Sequence, residues 1–277
     1  MFLNPIQLLL DAQRKKNAIG HFNIFNMESA KAVVSAIGKA KKPAFVAITE
    51  TTIRYAGLGC IVGIVKELTK AQFNHSGSKA ILHLDHGKSV ETIKRAIEAG
   101  FSSVMIDGSA LSLEENIELT KQVVKIAHKS EIAVEAELGH VGRVGEIIPK
   151  HYLTNPKTAE EFVEKTGVDS LAVAVGTIHG LVTKVKIDFE RLRRIRQGVP
   201  VPLVIHGGTG LGDVALKDLI EAGATKINID TALRIAFMRG LRQNITESDP
   251  RKPLTSAMDE ETILVEDYIK KFDKGFK

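Results

Sequence analysis

Short apolar runs recur along the chain at regular intervals, and most of them are rich in β-branched residues. Continuous apolar runs of this kind are typical of parallel strands that are covered on both faces. Amphipathic segments with helical periodicity lie between them, for example at 89–99, 113–129 and 159–165. The pattern predicts eight strands, at 18–24, 44–48, 80–84, 103–106, 133–136, 171–175, 203–205 and 226–229.

Glycine often follows a predicted helix directly before the next strand, as in EAGFSS, EKTGVDS and EAGATK. A glycine there supplies the left-handed conformation that a helix C-cap favours. The segments AIEAGFSSVMIDGSA and LIEAGATKINIDTAL also resemble each other, which indicates a repeated βα unit. About eight such units predict an α/β fold, a single (β/α)8 TIM barrel over residues 1–277 with a C-terminal helical extension. The alternative, a doubly wound open sheet, would have GxGxxG after its first strand, and that motif is absent.

The active site of such a barrel lies at the C-terminal ends of its strands. Nearly every predicted strand ends in a polar or ionisable residue: Asn23, Thr49, Glu50, Asp85, His86, Asp107, Glu137, His179, His206, Asn228 and Asp230. Three of these are histidines that follow an apolar run and precede glycine, in LHLDHG, VGTIHGL and VIHGGTG. Three protein ligands and an open position are typical of catalytic zinc, and Asp85 adjoins the first histidine as a candidate proton acceptor.

A phosphate site is predicted at the loops after the seventh and eighth strands. Loops in these positions of a barrel hold phosphate through backbone N–H groups and a helix N-terminus. The sequence there is HGGTG and then IDTAL. Gly207 and Gly208 would let the backbone approach an anion closely, and Thr209 and Thr231 offer hydroxyl groups. The substrate is therefore expected to be a small phosphorylated molecule.

Composition narrows the class of protein. With Cys60 as the one cysteine, neither an intramolecular disulfide nor a cysteine zinc site can form. The beginning of the chain, MFLNPIQLLLDAQRKK, lacks a signal-peptide pattern, and no apolar run is long enough to span a bilayer, so we expect a cytoplasmic protein without a membrane partner. The net charge is +5, but tryptophan is absent and aromatic residues are 5%, which favours anionic small molecules over nucleic acid.

The motifs, in their order along the chain, resemble those of the class II ketose-bisphosphate aldolases, the fructose- and tagatose-bisphosphate aldolases. The similar blocks are HFNIFNMES, HLDHG, SVMIDGSA, VEAELGHVG, EKTGVDSLAVAVGTIHGL, PLVIHGGTGL, KINIDTALR and DPRKP. They cover the chain nearly from end to end. EKTGVDSLAVAVGTIHGL followed by KIDFERL is more similar to the tagatose-type branch.

The resemblance implies a role for each matching residue. His86, His179 and His206 would hold a catalytic Zn²⁺, and Asp85 would exchange a proton with the oxygen that is the ketose C4 hydroxyl. Asp107 and Glu137 match positions that can hold a second, displaced metal ion. The positions matching substrate contacts are Asn23, Thr49, Gly180, Gly207, Gly208, Thr209, Asn228, Ile229, Asp230 and Thr231. The family also implies a monovalent cation, Na⁺ or K⁺, near the phosphate loops and a homodimer or homotetramer.

The chain departs from the family pattern in the aldehyde half of the site. The mobile loop, usually GG-x-E-D after EAELG, is replaced by HVGRVGEIIPKHYLTNP, in which Glu146 is the nearest carboxylate for proton exchange at C3. Thr51 and Val182 replace a usual glycine and tyrosine, and the expected C-terminal arginine is missing. Arg54 and Arg251 are the candidates to replace that arginine. We therefore expect the enzyme to tolerate ketose 1-phosphates that lack the C6 phosphate better than standard bisphosphate aldolases do.

The function that these residues predict is a zinc-dependent aldolase. It would reversibly cleave a ketose 1,6-bisphosphate of tagatose or fructose type, or a ketose 1-phosphate, to dihydroxyacetone phosphate and an aldehyde. The alternatives are a metal-dependent sugar-phosphate epimerase or isomerase, a Schiff-base aldolase that uses Lys226, and a sugar-phosphate-binding module without catalysis. We favour an ion pair in the barrel core as the role of Lys226.

Overall fold

The computed structural model describes residues 2–73, 79–146, 149–181 and 185–274. Eight parallel strands close into a barrel with helices between them, which confirms the predicted (β/α)8 fold. The barrel strands are β1 (Ile19–Asn23), β2 (Ala44–Thr49), β3 (Ala80–Gly87), β4 (Ser103–Ile106), β5 (Ala133–Leu138), β7 (Ser170–Val173), β9 (Leu203–Ile205) and β10 (Ala224–Ile229). Each overlaps one of the eight predicted strands. Outside the barrel, β6 (Gly142–Arg143) pairs in parallel with β8 (Ile178–His179).

Helices surround the barrel, and the first of them covers its N-terminal end. They are α1 (Ile6–Lys15), α2 (Met27–Ala40), α3 (Glu50–Ala56), α4 (Leu58–Phe73), α5 (Val90–Ala99), α6 (Leu113–His128), α7 (Pro156–Thr166), α8 (Phe189–Gly198), α9 (Asp213–Glu221), α10 (Thr231–Gln243) and α11 (Arg251–Lys274). A short 3-10 helix spans Lys150–Tyr152. Among the described residues, no helix is both long enough and apolar enough to cross a lipid bilayer.

Local capping explains where several helices begin and end. Ser112 and Glu115 form a capping box at the start of α6, and the Ser89 side chain accepts from the Thr92 backbone N–H at 3.1 Å at the start of α5. Gly100 and Gly167 follow α5 and α7 with left-handed φ angles of 94° and 67°. These two glycines have the C-cap role that the sequence predicts.

The main apolar core lies between the outer face of the barrel and the helices. A smaller cluster closes the N-terminal end of the barrel, where Leu9 and Ala12 of α1 pack with Ile19, Phe45 and Ile81. The opposite, C-terminal end is left for the polar groups described below. This arrangement places the site on a rigid scaffold.

The long C-terminal helix, α11, packs against α2 and α10. A Cβ atom on Gly240 of α10 would lie 2.3 Å from the backbone oxygen of Ser256, so glycine permits the close approach of the two helices. Glu261 lies in the buried stripe of α11, between Ala257 and Val265, with 0% of its surface exposed. Neither carboxyl oxygen of Glu261 has a hydrogen-bond partner among the described residues.

Candidate active site

Four barrel strands each carry two polar residues that are separated by one position. The pairs are His21 and Asn23, His83 and Asp85, Glu135 and Glu137, and Lys226 and Asn228. Residues two apart on a strand point to the same side, and all eight of these side chains are buried in the barrel interior. They form two polar layers, and the members with the higher numbers lie nearer the C-terminal end.

Three histidines converge above these layers. The candidate ligand nitrogens of His86, His179 and His206 lie within 4.8 Å of one another. His86 is in β3 with a left-handed φ of 52°, where the register between β3 and β4 shifts, and His206 directly follows β9. The prediction that His179 ends a barrel strand is wrong, because β7 stops at Val173 and His179 belongs to β8. The pairing of β8 with β6 supports His179 instead.

The donor set fits a metal ion. His86 Nε2 lies 3.1 Å from His206 Nδ1, and nitrogen ligands about 2.05 Å from a tetrahedral zinc ion are about 3.3 Å apart. Glu137 Oε2 is buried with no hydrogen-bond partner among the described residues, and it lies 3.9 Å from His86 Nδ1 and 4.0 Å from His206 Nδ1. His86, Asp107 and Glu137 form a second group that could hold an ion.

The electrostatics of the site favour positive charge. Burial lowers the pKa of His86, but the carboxylates of Asp85, Glu137 and Asp107 outweigh burial and raise that pKa to about 9. A cluster of buried carboxylates beside imidazole rings therefore attracts a cation. The negative charge of the site and its imidazole and carboxylate donors thus both suit a metal cation.

Asp85 is placed to accept a proton. Its Oδ2 accepts a hydrogen bond from Asn23 Nδ2 at 2.8 Å. Its Oδ1 is buried without a hydrogen-bond partner among the described residues, and it lies 3.9 Å from His86 Nε2. Burial raises the pKa of Asp85, but the charge of His86 and the contact with His21 outweigh burial and hold the pKa well below its usual range. The carboxylate is thus ionised at neutral pH and has one oxygen open toward the histidines.

Lys226 forms a buried ion pair in the lower polar layer. Its Nζ donates to Glu135 Oε2 at 2.7 Å and lies 4.9 Å above the ring of Phe45. Burial, together with the charge of Lys226, lowers the pKa of His21 to about 4 and holds that of His83 well below its usual range. Both imidazoles are therefore neutral near pH 7. Lys226 has the barrel-core role favoured from the sequence.

The glycines after β9 are needed for backbone packing. Gly207 has a φ of 72°, and a Cβ atom there would lie 2.4 Å from the Ile178 backbone oxygen. The Gly208 N–H donates to the backbone oxygen of Asn228 at 3.0 Å, so this N–H is already used within the fold. The Thr209 hydroxyl accepts from the Ala232 N–H at 3.3 Å.

The second predicted phosphate loop leads into the N-terminus of α10. The Ile229 side chain is buried in the apolar core, and Thr231 is the first residue of α10. The Asp230 side chain makes no cap hydrogen bond to the helix; it pairs with Arg234 instead. The first turn of α10 is therefore not capped by its own N-cap side chain.

At the rim beside β2, the carboxylate of Glu50 is held by a backbone hydrogen bond. Thr49 is the N-cap of α3, and Glu50 Oε1 accepts from the Lys88 backbone N–H at 2.8 Å. The Glu50 carboxylate therefore lies at the rim, against the end of β3. Arg54 and Arg251 are exposed and contact Thr51 and Asp249, respectively, near them in sequence. Val182 lies outside the described residues.

The loop after β5 is tied to His179. The Val144 N–H donates to the His179 oxygen at 3.2 Å, and a Cβ atom on Gly180, whose φ is 109°, would lie 2.4 Å from Val144 Cγ2. Glu146, two residues further on, is exposed, and its Oε2 lies 3.2 Å from His140 Nε2. The loop thus runs beside a metal-ligand candidate, with its carboxylate at the surface.

Comparison with known proteins identifies the family. The model of the family described as fructose-bisphosphate aldolase class-II matches residues 4–275. The chain belongs to this family. It is therefore an aldolase, a carbon–carbon lyase, of a family that is typically metal-dependent.

Solved structures of aldolases share the fold. The YdjI aldolase from Escherichia coli K12 is 33% identical, with 99% of this chain and 98% of that chain covered and a TM-score of 0.86. A proposed fructose-1,6-bisphosphate aldolase from Coccidioides immitis is 30% identical, with 98% and 96% covered and a TM-score of 0.86. The fructose-bisphosphate aldolase from Campylobacter jejuni is 23% identical, with 99% of this chain and 95% of that chain covered and a TM-score of 0.83. At this identity the likeness shows the fold alone.

Sequence reasoning did not single out four polar residues of this region. His21, His83 and Glu135 form the lower polar layer with Lys226, and Lys88 contacts Asp107 at the rim. A signal for the first three was present, because each stands two positions before a residue that the sequence analysis placed at a strand end. Lys88 had no such signal.

Proposed function

We propose that this aldolase is zinc-dependent and reversibly cleaves a ketose 1,6-bisphosphate or a ketose 1-phosphate. The products would be dihydroxyacetone phosphate and an aldehyde. The observation that carries the proposal is the convergence of His86, His179 and His206 beside the open Oδ1 of Asp85. A site with three imidazole ligand candidates and a neighbouring ionised carboxylate suits a reaction that moves a proton while a C–C bond breaks.

The three histidines would hold the zinc ion, and Glu137 Oε2 is within reach of the same position. When bound, the ion supplies Lewis-acid stabilisation of the negative charge that develops as the C–C bond breaks. Asp85 takes the proton of the C4 hydroxyl through Oδ1, while Asn23 holds its other oxygen. A positioned proton acceptor of this kind contributes about 10²–10⁴ in rate.

The dihydroxyacetone phosphate half would bind between the last two barrel strands. The N-terminus of α10 and the Thr231 hydroxyl are the proposed phosphate contacts, with Gly180 and the 207–209 turn around them. The Asn228 and Asn23 side chains would bracket the enediolate. A monovalent cation, Na⁺ or K⁺, at these loops belongs to the same proposal.

Glu146 is the proposed acid and base at C3 of the three-carbon product. The contacts of the loop with His179 and Gly180 support this proposal, because they hold the chain segment before Glu146 against the site. In the structure the Glu146 carboxylate faces His140. His140 would then hold Glu146 at the surface until substrate binds.

The aldehyde half supports a substrate class wider than bisphosphates. Arg54 is exposed and reaches Thr51, and Arg251 is exposed and pairs with Asp249, so neither is fixed as a bidentate phosphate clamp by buried partners. We therefore propose that ketose 1-phosphates without a C6 phosphate are accepted, with sugars of the tagatose type first among the candidates.

Assembly and location are part of the proposal. Exposed apolar side chains on α10 and α11, among them Ile235, Met238 and Ile263, support a homodimer or homotetramer. The single cysteine supports a reducing, cytoplasmic setting. The proposed partner is a small phosphorylated ketose rather than a nucleic acid or a membrane.

An aldol-cleavage screen tests the proposed function. The enzyme is incubated with a panel of ketose 1-phosphates and 1,6-bisphosphates, and release of dihydroxyacetone phosphate is measured with a coupled dehydrogenase. Chelation is expected to abolish the activity and Zn²⁺ to restore it. Cleavage that persists in the chelated, metal-free enzyme would contradict the proposal.

A further inference from the structure

Asp107 is fully engaged in hydrogen bonds. Its Oδ1 accepts from the Ser109 backbone N–H at 3.1 Å and from the Ser109 hydroxyl at 2.6 Å. Its Oδ2 lies 2.8 Å from His86 Nδ1 and accepts from the Lys88 ammonium group. A carboxylate offers about four acceptor positions. All four are used, so no lone pair of Asp107 is left for a metal ion.

Lys88 is held at both ends although it lies at the surface. Its side chain is 58% exposed, and yet its Nζ contacts the buried Oδ2 of Asp107. Its backbone N–H donates to Glu50 Oε1 at 2.8 Å. The chain therefore fixes the lysine stem over the end of β3 and directs the ammonium group toward Asp107.

The contact with Asp107 determines which nitrogen of His86 faces the other histidines. Oδ2 is an acceptor, so His86 Nδ1 carries the proton and donates it to Asp107. His86 Nε2 is left to face His206 Nδ1, 3.1 Å away. A carboxylate that accepts from the second nitrogen of a metal-binding histidine fixes its tautomer and ring orientation.

His206 has the same arrangement on the other side of the site. Its Nε2 lies 3.2 Å from Glu135 Oε1, and Lys226 donates to Glu135 Oε2 at 2.7 Å. Two of the three converging histidines are thus each in contact with a carboxylate that a lysine anchors. The buried pair of Lys226 and Glu135 is part of the barrel core, whereas Lys88 lies at the rim with most of its side chain exposed.

We propose that Lys88 is a positioning residue of the metal site. Its ammonium group keeps Asp107 as the hydrogen-bond acceptor of His86, and it occupies the place on Asp107 where a second metal ion would bind. Glu137 differs, since its Oε2 has no hydrogen-bond partner among the described residues. The inference rests on the proposed zinc site of the three histidines, and it limits that site to one ion per chain.

Metal titration of four proteins tests this role. They are the wild type, Lys88→Met, Lys88→Arg and Lys121→Met, all prepared without metal. Lys121 pairs with Glu118 on the surface of α6 at 2.9 Å, so its replacement makes the same change of charge away from the site. The number of Zn²⁺ and Co²⁺ ions per chain is measured by equilibrium dialysis, the affinity by competition with a chelator, and the ligand field by the Co²⁺ absorption spectrum.

The wild type is expected to bind one ion per chain. Lys88→Met is expected to bind that ion about 10–100-fold more weakly, the usual effect of losing an outer partner of a ligand, and to take up a second ion with additional Co²⁺ bands. Lys88→Arg is expected to restore one ion and the wild-type spectrum. Lys121→Met is expected to match the wild type throughout.

Three results would overturn the proposal. The first is two ions in the wild type, and the second is Lys88→Met with wild-type stoichiometry, affinity and spectrum. The third is weaker binding by Lys88→Met that comes with a lower melting temperature of the metal-free protein and an unchanged Co²⁺ spectrum, because Lys88 would then act on the fold alone. A wild type that binds no ion would overturn the zinc site as well, which separates that failure from the other three.

Discussion

Replacing Glu261 by methionine should remove a pH-dependent loss of stability. Burial raises the pKa of Glu261 from 4.5 to about 8, and neither oxygen has a hydrogen-bond partner among the described residues. The folded protein therefore keeps this carboxyl protonated at pH values where the unfolded chain has released the proton. The contribution of this carboxyl to the free energy of unfolding is largest below pH 4.5 and falls as the pH rises toward 8. Above pH 8 it no longer changes.

The size of the effect follows from the two pKa values. One pKa unit corresponds to about 1.36 kcal/mol, so the full difference is worth about 5 kcal/mol of unfolding free energy. Between pH 5.5 and pH 8 the expected loss is about 3 kcal/mol. Methionine is similar in volume to glutamate, suits the apolar stripe of α11 and has no titrating group.

The free energy of unfolding of the wild type and of Glu261→Met is measured by urea denaturation at several pH values from 5.5 to 8.5. The buffer contains a metal chelator, so both proteins are metal-free. The variant should gain about 3 kcal/mol relative to the wild type between pH 5.5 and 8, since the titration of every other group cancels in the difference. Glu260→Met is the matched control. Glu260 accepts from Arg239 at 2.9 Å, and this hydrogen bond lowers its pKa, so its replacement should cause no pH-dependent change in this range. A difference between Glu261→Met and the wild type that stays constant from pH 5.5 to 8.5 would show that the pKa of Glu261 is not raised in the folded protein.

The remaining predictions concern the chemistry. Asp85→Ala should lose about 10²–10⁴ in kcat while it keeps the proposed zinc ion, as measured by steady-state kinetics and elemental analysis; loss of the metal together with activity would indicate a structural role instead. Glu146→Gln should slow the exchange of tritium between dihydroxyacetone phosphate and water, and an unchanged exchange rate would remove Glu146 from the mechanism. The ratio of kcat/KM for a 1,6-bisphosphate over the matching 1-phosphate should stay below about a thousandfold, or about 4 kcal/mol; a larger ratio would point to Arg54, Arg251 or an arginine of a second subunit as a phosphate clamp. Borohydride treatment with substrate should leave Lys226 unmodified by mass spectrometry, because its ammonium group is ion-paired, and a trapped adduct on Lys226 would instead support a Schiff-base route.

The barrel could be predicted from the sequence because strand and helix signals are local. Each strand is a short apolar run, and glycines such as Gly100 and Gly167 mark the helix ends. The position of His179 could not be predicted in the same way. The apolar segment continues past Val173 to His179, and the pairing of the two-residue strands β6 and β8 leaves no periodic pattern.

The ligand candidates were accessible to sequence reasoning, but their supporting contacts were not. His86 lies near the end of β3 and His206 directly follows β9, and each is followed by a glycine. The partner of Lys226 is Glu135, which is 91 residues away, and Asp107 is 19 residues from Lys88. Such contacts depend on which strands become neighbours in the closed barrel, and no local pattern records that.

The short ladder between β6 and β8 has a thermodynamic consequence. It joins the main chain of His179 to the segment that leads to Glu146. Binding free energies at two coupled positions are reciprocal, so a ligand that holds this loop against the barrel and the proposed metal ion must change each other's affinity by the same factor. If closure of the loop strengthens the proposed metal site, occupancy by substrate and resistance to chelation rise together.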